Sequence, residues 1–346
     1  MSLSPALDIV IIGLNSSRTL SECIRSVHGC RYPSASIKIF YADGGSTDGS
    51  PDIARSLGCV CVEVAAEAPT PGRQRNTGWR LGGGKYVQFL DSDTVMDPDW
   101  LDRAVTAIAS SESVGAVCGD RREMHPEASL FNRIGDIEWN GPSGDAEAFG
   151  GDVLISRSAL ERVGGYDQGL IAGEDPELAH RIRAAGLRIV KLSIPMTSHD
   201  LAMRTPRQYW KRAFRSGHAY AEVHARHPDF WAAEVQRITI RALPFFAGLA
   251  VLPLSVHSPW LLAVTAAGLA ALLRPRLWLV GRFRRDLGLG REEARTYAWH
   301  ASMVVVPQCL GMFRFYIGRA ISRPLTNRRI LASGRALRKP AEEARV

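Results

Sequence analysis

Asp91 and Asp93 follow the apolar run YVQFL in the stretch FLDSDTVMDPDW. Residues two apart on extended backbone point to the same side, so this spacing predicts two carboxylates facing one spot. Like charges that close repel, and removing them from water is costly unless a positive partner compensates. Mg²⁺ and Mn²⁺ are hard cations that bind through one or two carboxylates together with substrate phosphates. The pair therefore suits a divalent ion that holds a diphosphate. The competing reading is a solvated pair at a helix start, with Asp97 and Asp99 capping the next helix.

A second chemical candidate is the basic aromatic stretch RQYWKRAFRSGHAY (207–220), which sets Arg212 and Arg215 three apart on a predicted helix. These two would contact a diphosphate, either the leaving group's or a lipid carrier's. A solvated amphipathic helix is the alternative. The six cysteines show no C-x-x-C pair and no metal-ligand spacing, so reduced, buried thiols in a cytosolic setting are expected. No charged-then-apolar leader precedes the first strand.

The elements that must position the carboxylates alternate. IVIIGL, IKIFYAD, CVCVEV and YVQFLD read as strands, and LSECIRSV, PDIARSLG and RQRNTGWRL as the helices between them. Strands separated by helices imply βαβ units and a mostly parallel sheet, whose ligands sit beyond the carboxyl ends of the strands. Asp43 and the Asp91/Asp93 pair fall at such ends, so one pocket could contain all three. Further on, VGAVCGD is a possible strand, GEDPELAHRIRAAG reads as a helix, and LRIVKLS is the last strand candidate.

The formal net charge of +8 is uneven: residues 274–346 hold 16 Lys and Arg against five Asp and Glu. Such a tail suits nucleic acid or an anionic membrane equally well on charge alone. The segment before it decides. Residues 242–273 carry no charged side chain, a longer run than the roughly 20 residues that cross a bilayer once. HSP divides it into two arms of roughly 14 residues, each short for a full crossing, so a hairpin that dips in or crosses thinly is expected. Arginines on both flanks place them on the cytoplasmic side. SMVVVPQCLGMFRFYIG, interrupted by Pro307 and Arg314, suits an interfacial amphipathic helix. The expected divisions are 1–237, 238–320 and a basic tail over 321–346, with a membrane partner and no nucleic acid.

Four motifs in order, YADGGSTDGS, PGRQRNTG followed by the D-x-D strand, FGGDVLISRSAL and GEDPELAHRIR, make residues 8–217 resemble the family 2 glycosyltransferases of surface and exopolysaccharide biosynthesis. The resemblance implies an α/β nucleotide-sugar fold of the GT-A type. It departs at the first strand, where IGLN keeps only Asn15 of the usual Pro-Thr-Tyr-Asn sequence. It departs again at RQYWKRAFRSG, which stands where processive synthases carry Gln-x-x-Arg-Trp, and this favours transfer of one sugar per encounter. By resemblance, Ile12, Gly13 and Asn15 with Asp43 would hold base and ribose, and Arg75 would contact the nucleotide. Asp91, Ser92 and Asp93 would bind the metal–diphosphate, with His199 as an additional metal or phosphate contact unless it is structural. Gly150 and Gly151 would border the sugar and acceptor pocket. Asp175 matches the catalytic base with Glu174 beside it, although Asp175 could also cap a helix begun by Pro176.

The resemblance further implies an inverting, Mg²⁺- or Mn²⁺-dependent transfer from a UDP- or GDP-sugar to a lipid-linked or glycan acceptor. A polyprenyl-diphosphate-linked glycan at the cytoplasmic face of the inner (plasma) membrane is the expected acceptor. The alternatives are a sugar-phosphate nucleotidyltransferase, whose Gly-rich signature with Lys GLNSSRTL lacks, and a catalytically silent membrane-bound nucleotide-sugar scaffold.

Overall fold

The computed structural model describes residues 4–64, 69–139 and 141–321. All but the first residue of the expected basic tail therefore lies outside the described residues. Nine strands form one sheet: β1 (Leu7–Gly13), β2 (Ile37–Asp43), β3 (Val60–Glu63), β4 (Tyr86–Asp91), β5 (Thr94–Met96), β6 (Val114–Glu123), β7 (Gly144–Asp145), β8 (Val153–Ser156) and β9 (Arg188–His199). Their order is β3-β2-β1-β4-β8-β6-β9-β5, with β7 paired to β9. The first four are parallel, as the βαβ pattern requires, and β8 then pairs antiparallel with both β4 and β6. The sheet is thus parallel in its N-terminal half and mixed beyond it.

β1 and β4 are apolar without alternation because helices cover both faces of the sheet. Ile9, Val10, Ile11, Phe89 and Leu90 are fully buried. In the parallel half, β1, β2 and β4 all run toward one edge of the sheet, where Gly13, Asp43 and Asp91 end them.

β9 is longer than LRIVKLS suggests. It continues through Pro195 to His199, and the β6–β9 register shifts on either side of the Asp120–Pro195 pairing. Proline lacks an N–H for the ladder and is tolerated where pairing is irregular. That irregularity lets the strand run on and carry His199 to the site.

After the sheet come helices Pro206–Arg226, Ala232–Val251, Leu261–Trp278, Val280–Asp286, Arg291–Met303 and Val305–Ala320. The apolar hairpin expected from sequence is present, but its arms have 20 and 18 residues. Charged ends extend each arm beyond its uncharged centre, so both are long and apolar enough to cross a membrane. Gly248 lies against Thr265, and Gly268 against the Pro244 backbone, so the arms pack with their main chains close together.

Arg291–Ala320, broken only at Val304, is also long and apolar enough for a span. Half of its most apolar window is buried in the protein, against about a fifth for each hairpin arm. This region packs on helix Pro206–Arg226, where Gly217 abuts the Gln308 backbone and Gly311 abuts the Phe214 carbonyl. A second core of Ala213, Ala221, Ile238, Leu272, Val305 and Met312 joins these helices.

Arg241 sits inside this second bundle. Its guanidinium donates to the carbonyls of Leu272 (2.9 Å) and Ala301 (2.7 Å). The Arg276 N–H also donates to the Ser302 hydroxyl (3.2 Å), tying the same two helices together.

Candidate active site

Two arginines compensate the acidic cluster. Arg75, on helix Pro71–Leu81, is only 2% exposed. It donates to Asp91 Oδ1 (2.9 Å) and Glu174 Oε1 (2.8 Å) and lies 3.3 Å from Asp175 Oδ1. Arg121, on β6, reaches Asp91 Oδ2 (3.2 Å) and Asp152 Oδ2 (3.2 Å). Acid and base therefore alternate: Asp152, Arg121, Asp91, Arg75, then Glu174 and Asp175. Asp152 also accepts from the Thr197 hydroxyl (2.7 Å) and the Asp91 backbone N–H (3.2 Å).

The resemblance implies that Arg75 contacts the nucleotide. Its guanidinium is buried among three protein carboxylates, so it positions Asp91 and Asp175. Sequence reasoning misses Arg121, Asp152 and Trp139, against whose ring Arg121 lies at 4.8 Å. Asp152 stands inside the quoted FGGD motif and could have been found there. Nothing local marks Arg121.

Asp91 and Asp93 do converge, though by another route. Asp91 ends β4 and Asp93 lies in the turn that leads into β5, so a reversal of the chain brings the carboxylates together. Thr94 pairs with His199 across β5 and β9, and His199 Nε2 lies 3.1 Å from Asp93 Oδ1. Ligand atoms of Asp91, Asp93 and His199 all fall within 4.8 Å of one another.

This donor set fits Mg²⁺ or Mn²⁺: two carboxylates and an imidazole, with His199 Nδ1 buried and without a hydrogen-bond partner. Asp93, 42% exposed, is the member open to a ligand. Asp97 and Asp99 do not cap the next helix through their side chains. Asp99 instead pairs with Arg31 (2.8 Å).

The residues expected at the base and ribose form the opposite wall. Asp43 is 1% exposed. Its carboxylate accepts from the Gly45 N–H (2.8 Å), the Ser46 N–H (2.7 Å) and the Tyr41 hydroxyl (3.1 Å). It shapes the loop after β2. Asn15, at φ 55°, accepts from the Thr47 N–H (2.9 Å), which joins the loops after β1 and β2. The Ile12 carbonyl accepts from Ser92 N–H, and the Gly13 carbonyl accepts from Gly44 N–H and the Gln74 side chain. The Ser92 hydroxyl donates to Ser16 (2.7 Å).

Gly151 is the close-approach glycine. A Cβ there would lie 2.6 Å from Asp91 Oδ2 and 2.7 Å from Arg75 Nη2, whereas at Gly150 the nearest atom is Arg121 Nη1 at 3.5 Å. Gly151→Ala should displace Asp91 at an overpacking cost of ~1–3 kcal/mol. Calorimetry with Mn²⁺ should then find nucleotide-sugar binding weakened about tenfold, and Gly150→Ala should leave it unchanged.

Asp175 does not cap its helix. Gly173, in the left-handed region, is the N-cap, and Asp175 lies in the first turn with Oδ1 buried and lacking a hydrogen-bond donor. Burial raises its pKa well above the ordinary carboxylate range, and Glu174 and Asp91 push the same way against Arg75 and Arg121. Asp91 moves oppositely: burial would raise it, but Arg75, Arg121 and His199 hold it below its usual value. One site thus keeps one carboxylate ionised and makes its neighbour basic. Arg212 and Arg215 diverge. Arg212 lies over Trp139 at 5.9 Å, while Arg215 donates to the Ile171 carbonyl (3.4 Å).

Residues 8–147 match the family model described as glycosyl transferase family 2, and residues 136–204 match one described as the N-terminal domain of galactosyltransferase. Glycosyltransferase AglE of Haloferax volcanii is 25% identical over 235 residues, which cover 64% of this chain and 75% of that protein. The pre-mycofactocin glycosyltransferase of Mycobacterium tuberculosis is 28% identical, over 64% of this chain and 48% of that protein. The succinoglycan biosynthesis protein ExoA of Rhizobium meliloti is 25% identical, over 52% and 59%. The chain thus spans between about half and three quarters of the length of these relatives. Among solved structures, the mannosyltransferase PcManGT from Pyrobaculum calidifontis, in complex with GDP-Man and Mn²⁺, is similar with a TM-score of 0.60 at 20% identity. That match covers 90% of this chain and 88% of that one, and the likeness is one of fold.

Proposed function

We propose that this chain, a glycosyltransferase whose residues 8–147 match the family 2 model, carries out an inverting, metal-dependent transfer of a single sugar from a nucleotide-sugar donor. The observation that carries this reading is that one buried guanidinium, Arg75, touches both Asp91 and Asp175. The group proposed to face the diphosphate and the group proposed to take the proton are thereby fixed relative to each other.

The acceptor hydroxyl oxygen attacks the anomeric carbon on the face opposite the leaving diphosphate, and its proton passes to the Asp175 carboxylate. The C–O bond to the diphosphate breaks with its electron pair on the leaving group, which inverts the configuration. A divalent ion held by Asp91, Asp93 and His199 would neutralise charge developing on that diphosphate. Asp175 suits its part because burial raises its pKa and leaves Oδ1 without a hydrogen bond, which makes it a stronger base than a solvated carboxylate.

The test is a thermal-shift screen of UDP-, GDP- and dTDP-sugars with Mn²⁺ and with Mg²⁺. A ligand that binds only the folded state raises the melting temperature. Stabilisation by one donor class that EDTA removes is the expected result, and no stabilisation by any donor would overturn the reading. Asp93→Ala should abolish the ion-dependent part of the shift without lowering the ligand-free melting temperature, because Asp93 is largely open to solvent.

We further propose that the acceptor is a polyprenyl-diphosphate-linked glycan and that the chain works at the cytoplasmic face of the membrane. Support comes from the exposed apolar faces of the hairpin, which include Leu249, Leu254, Val256, Trp260 and Leu262, and from the arginines on both flanks. Deleting residues 243–273 should release the protein from membranes. Arg241 bonds the Leu272 carbonyl, so the two ends of the excised segment lie side by side and can be rejoined. Sedimentation of the truncated protein with lipid would place attachment elsewhere.

A further inference from the structure

A cavity of about 470 Å³ lies between helix Leu130–Trp139 of the sheet domain and helices Pro206–Arg226, Ala232–Val251 and Arg291–Met303. Its size falls within the usual range for small-molecule sites. It is separate from the acidic cluster and does not share that cluster's residues. We propose that this cavity receives the phosphorylated sugar head of the acceptor, with the phosphoryl group on Arg212 and Arg237. The proposal rests on the glycosyl-transfer reading above and specifies its acceptor site.

Three residues of the lining support this. Arg212 and Arg237 both line the cavity, and among the described residues neither guanidinium forms a hydrogen bond or an ion pair. Both act on the Glu138 carboxylate from a distance and Arg212 lies over Trp139, but neither spends its N–H groups on a hydrogen bond. Two such guanidiniums facing one space fit phosphoryl oxygens, which take their planar forks bidentately. Gln308, 5% exposed, lines the same space with its Oε1 buried and without a donor. An unmet buried acceptor carries a cost that a ligand hydroxyl would relieve.

The remaining polar groups suit a sugar better than a bare anion. His300 is held between Glu138 (2.9 Å) and the Tyr209 hydroxyl (3.0 Å), and Glu234 adds a second carboxylate. Carboxylates accept from hydroxyls, so a phosphorylated sugar meets more partners here than a bare anion would, and Tyr220 and Tyr297 add ring surface to the lining. The cavity is also placed for transfer. Trp139 carries Arg212 at 5.9 Å, Arg121 at 4.8 Å and the His199 ring at 5.1 Å, so one indole separates this cavity from the acidic cluster. On its other side the cavity is walled by the apolar hairpin's first arm, so a head group could arrive attached to a lipid or free in solution.

The experiment uses the full chain in EDTA, which removes the proposed ion from the donor site. Two probes are titrated by calorimetry: inorganic pyrophosphate, and farnesyl diphosphate in phosphatidylcholine vesicles, with plain vesicles as the blank. Saturable binding of at least one probe is expected, weakened about tenfold or more in Arg212→Gln/Arg237→Gln. The melting temperature should stay at its wild-type value in that variant, since both arginines are exposed. Tighter binding of farnesyl diphosphate identifies a lipid-borne acceptor, and equal binding a soluble one. If wild-type protein binds donor but neither probe, or if the double variant binds the probes unchanged, the cavity assignment is overturned. If wild-type protein binds no donor, the fault lies with the glycosyl-transfer reading on which it rests.

Discussion

Asp175→Asn lowers kcat by about 10²–10⁴-fold, the usual contribution of a positioned base, while nucleotide-sugar affinity holds. The amide has nearly the carboxylate's shape but cannot take the acceptor's proton. It should also sit with little strain, because Asp175 Oδ1 forms no hydrogen bond and gives up only its 3.3 Å ion pair with Arg75, while Glu174 keeps its own bond to Arg75. Calorimetry with donor and Mn²⁺, run beside single-turnover kinetics, separates the two effects. Turnover that survives the substitution would remove Asp175 from the base role.

The pH profile gives an independent check on the same residue. A base works only when deprotonated, so kcat rises with pH through the Asp175 pKa. Burial raises that pKa, so the acid limb should lie well above the value of about 4 expected for a solvated aspartate. In Asp175→Asn the residual rate should lose that limb. A wild-type profile flat from about pH 5 upward, beyond the range of an ordinary carboxyl, would contradict the raised pKa.

Arg75→Met should be the most destabilising substitution in the sheet domain. It leaves Asp91, Glu174 and Asp175 facing one another, and removing one partner of a buried ion pair costs about 3–5 kcal/mol. For a protein of this size a loss that large lowers the melting temperature on the order of 10 °C. The loss depends on pH in a definite direction. Without the guanidinium the clustered carboxyls have folded pKa values above their unfolded ones, so the folded state binds more protons and stability falls as pH rises. The variant should therefore lie closest to wild type at acidic pH, and a deficit that does not vary with pH would contradict this account. Arg75→Lys retains a charge but cannot bridge Asp91 and Glu174 with one planar fork, so it should recover only part of the stability.

The strands and the D-x-D pair are legible in the sequence because each depends on neighbours in the chain. The run YVQFLD declares β4, and Asp91 marks its end. How charges meet across the sheet is not legible. Arg121 lies 30 residues from Asp91, and β6 reaches Asp91 only because β8 inserts antiparallel between β4 and β6. No local pattern announces that insertion. The resemblance points to His199, but the strand that delivers it runs past Pro195, where a ladder irregularity permits what a regular sheet would forbid.

Asp43 and Arg75 show a different limit. Residue type and motif place both beside the nucleotide, and the structure keeps both near the site. Burial then turns each onto protein partners, and burial depends on tertiary packing. The uncharged stretch underestimates the hairpin arms, because residues such as Arg237 and Arg276 extend each arm at its ends.

The glycine contacts between helices Pro206–Arg226 and Val305–Ala320 bear on how the molecule can move. Gly217 and Gly311 bring the two main chains into direct contact, which leaves no compliant side-chain layer to slide or pivot on. Helix Pro206–Arg226 is in turn held to the sheet domain by the Arg226–Asp167 ion pair and by Gly173 packed on Ala219 and Val223. The sheet domain and the apolar helices should therefore turn as one rigid body, with no hinge between them. The radius of gyration from small-angle scattering would then be the same with and without donor. Any closing motion during the catalytic cycle would be left to the short loops beyond the strand ends, and the height of the cleft above a lipid surface would be fixed by construction.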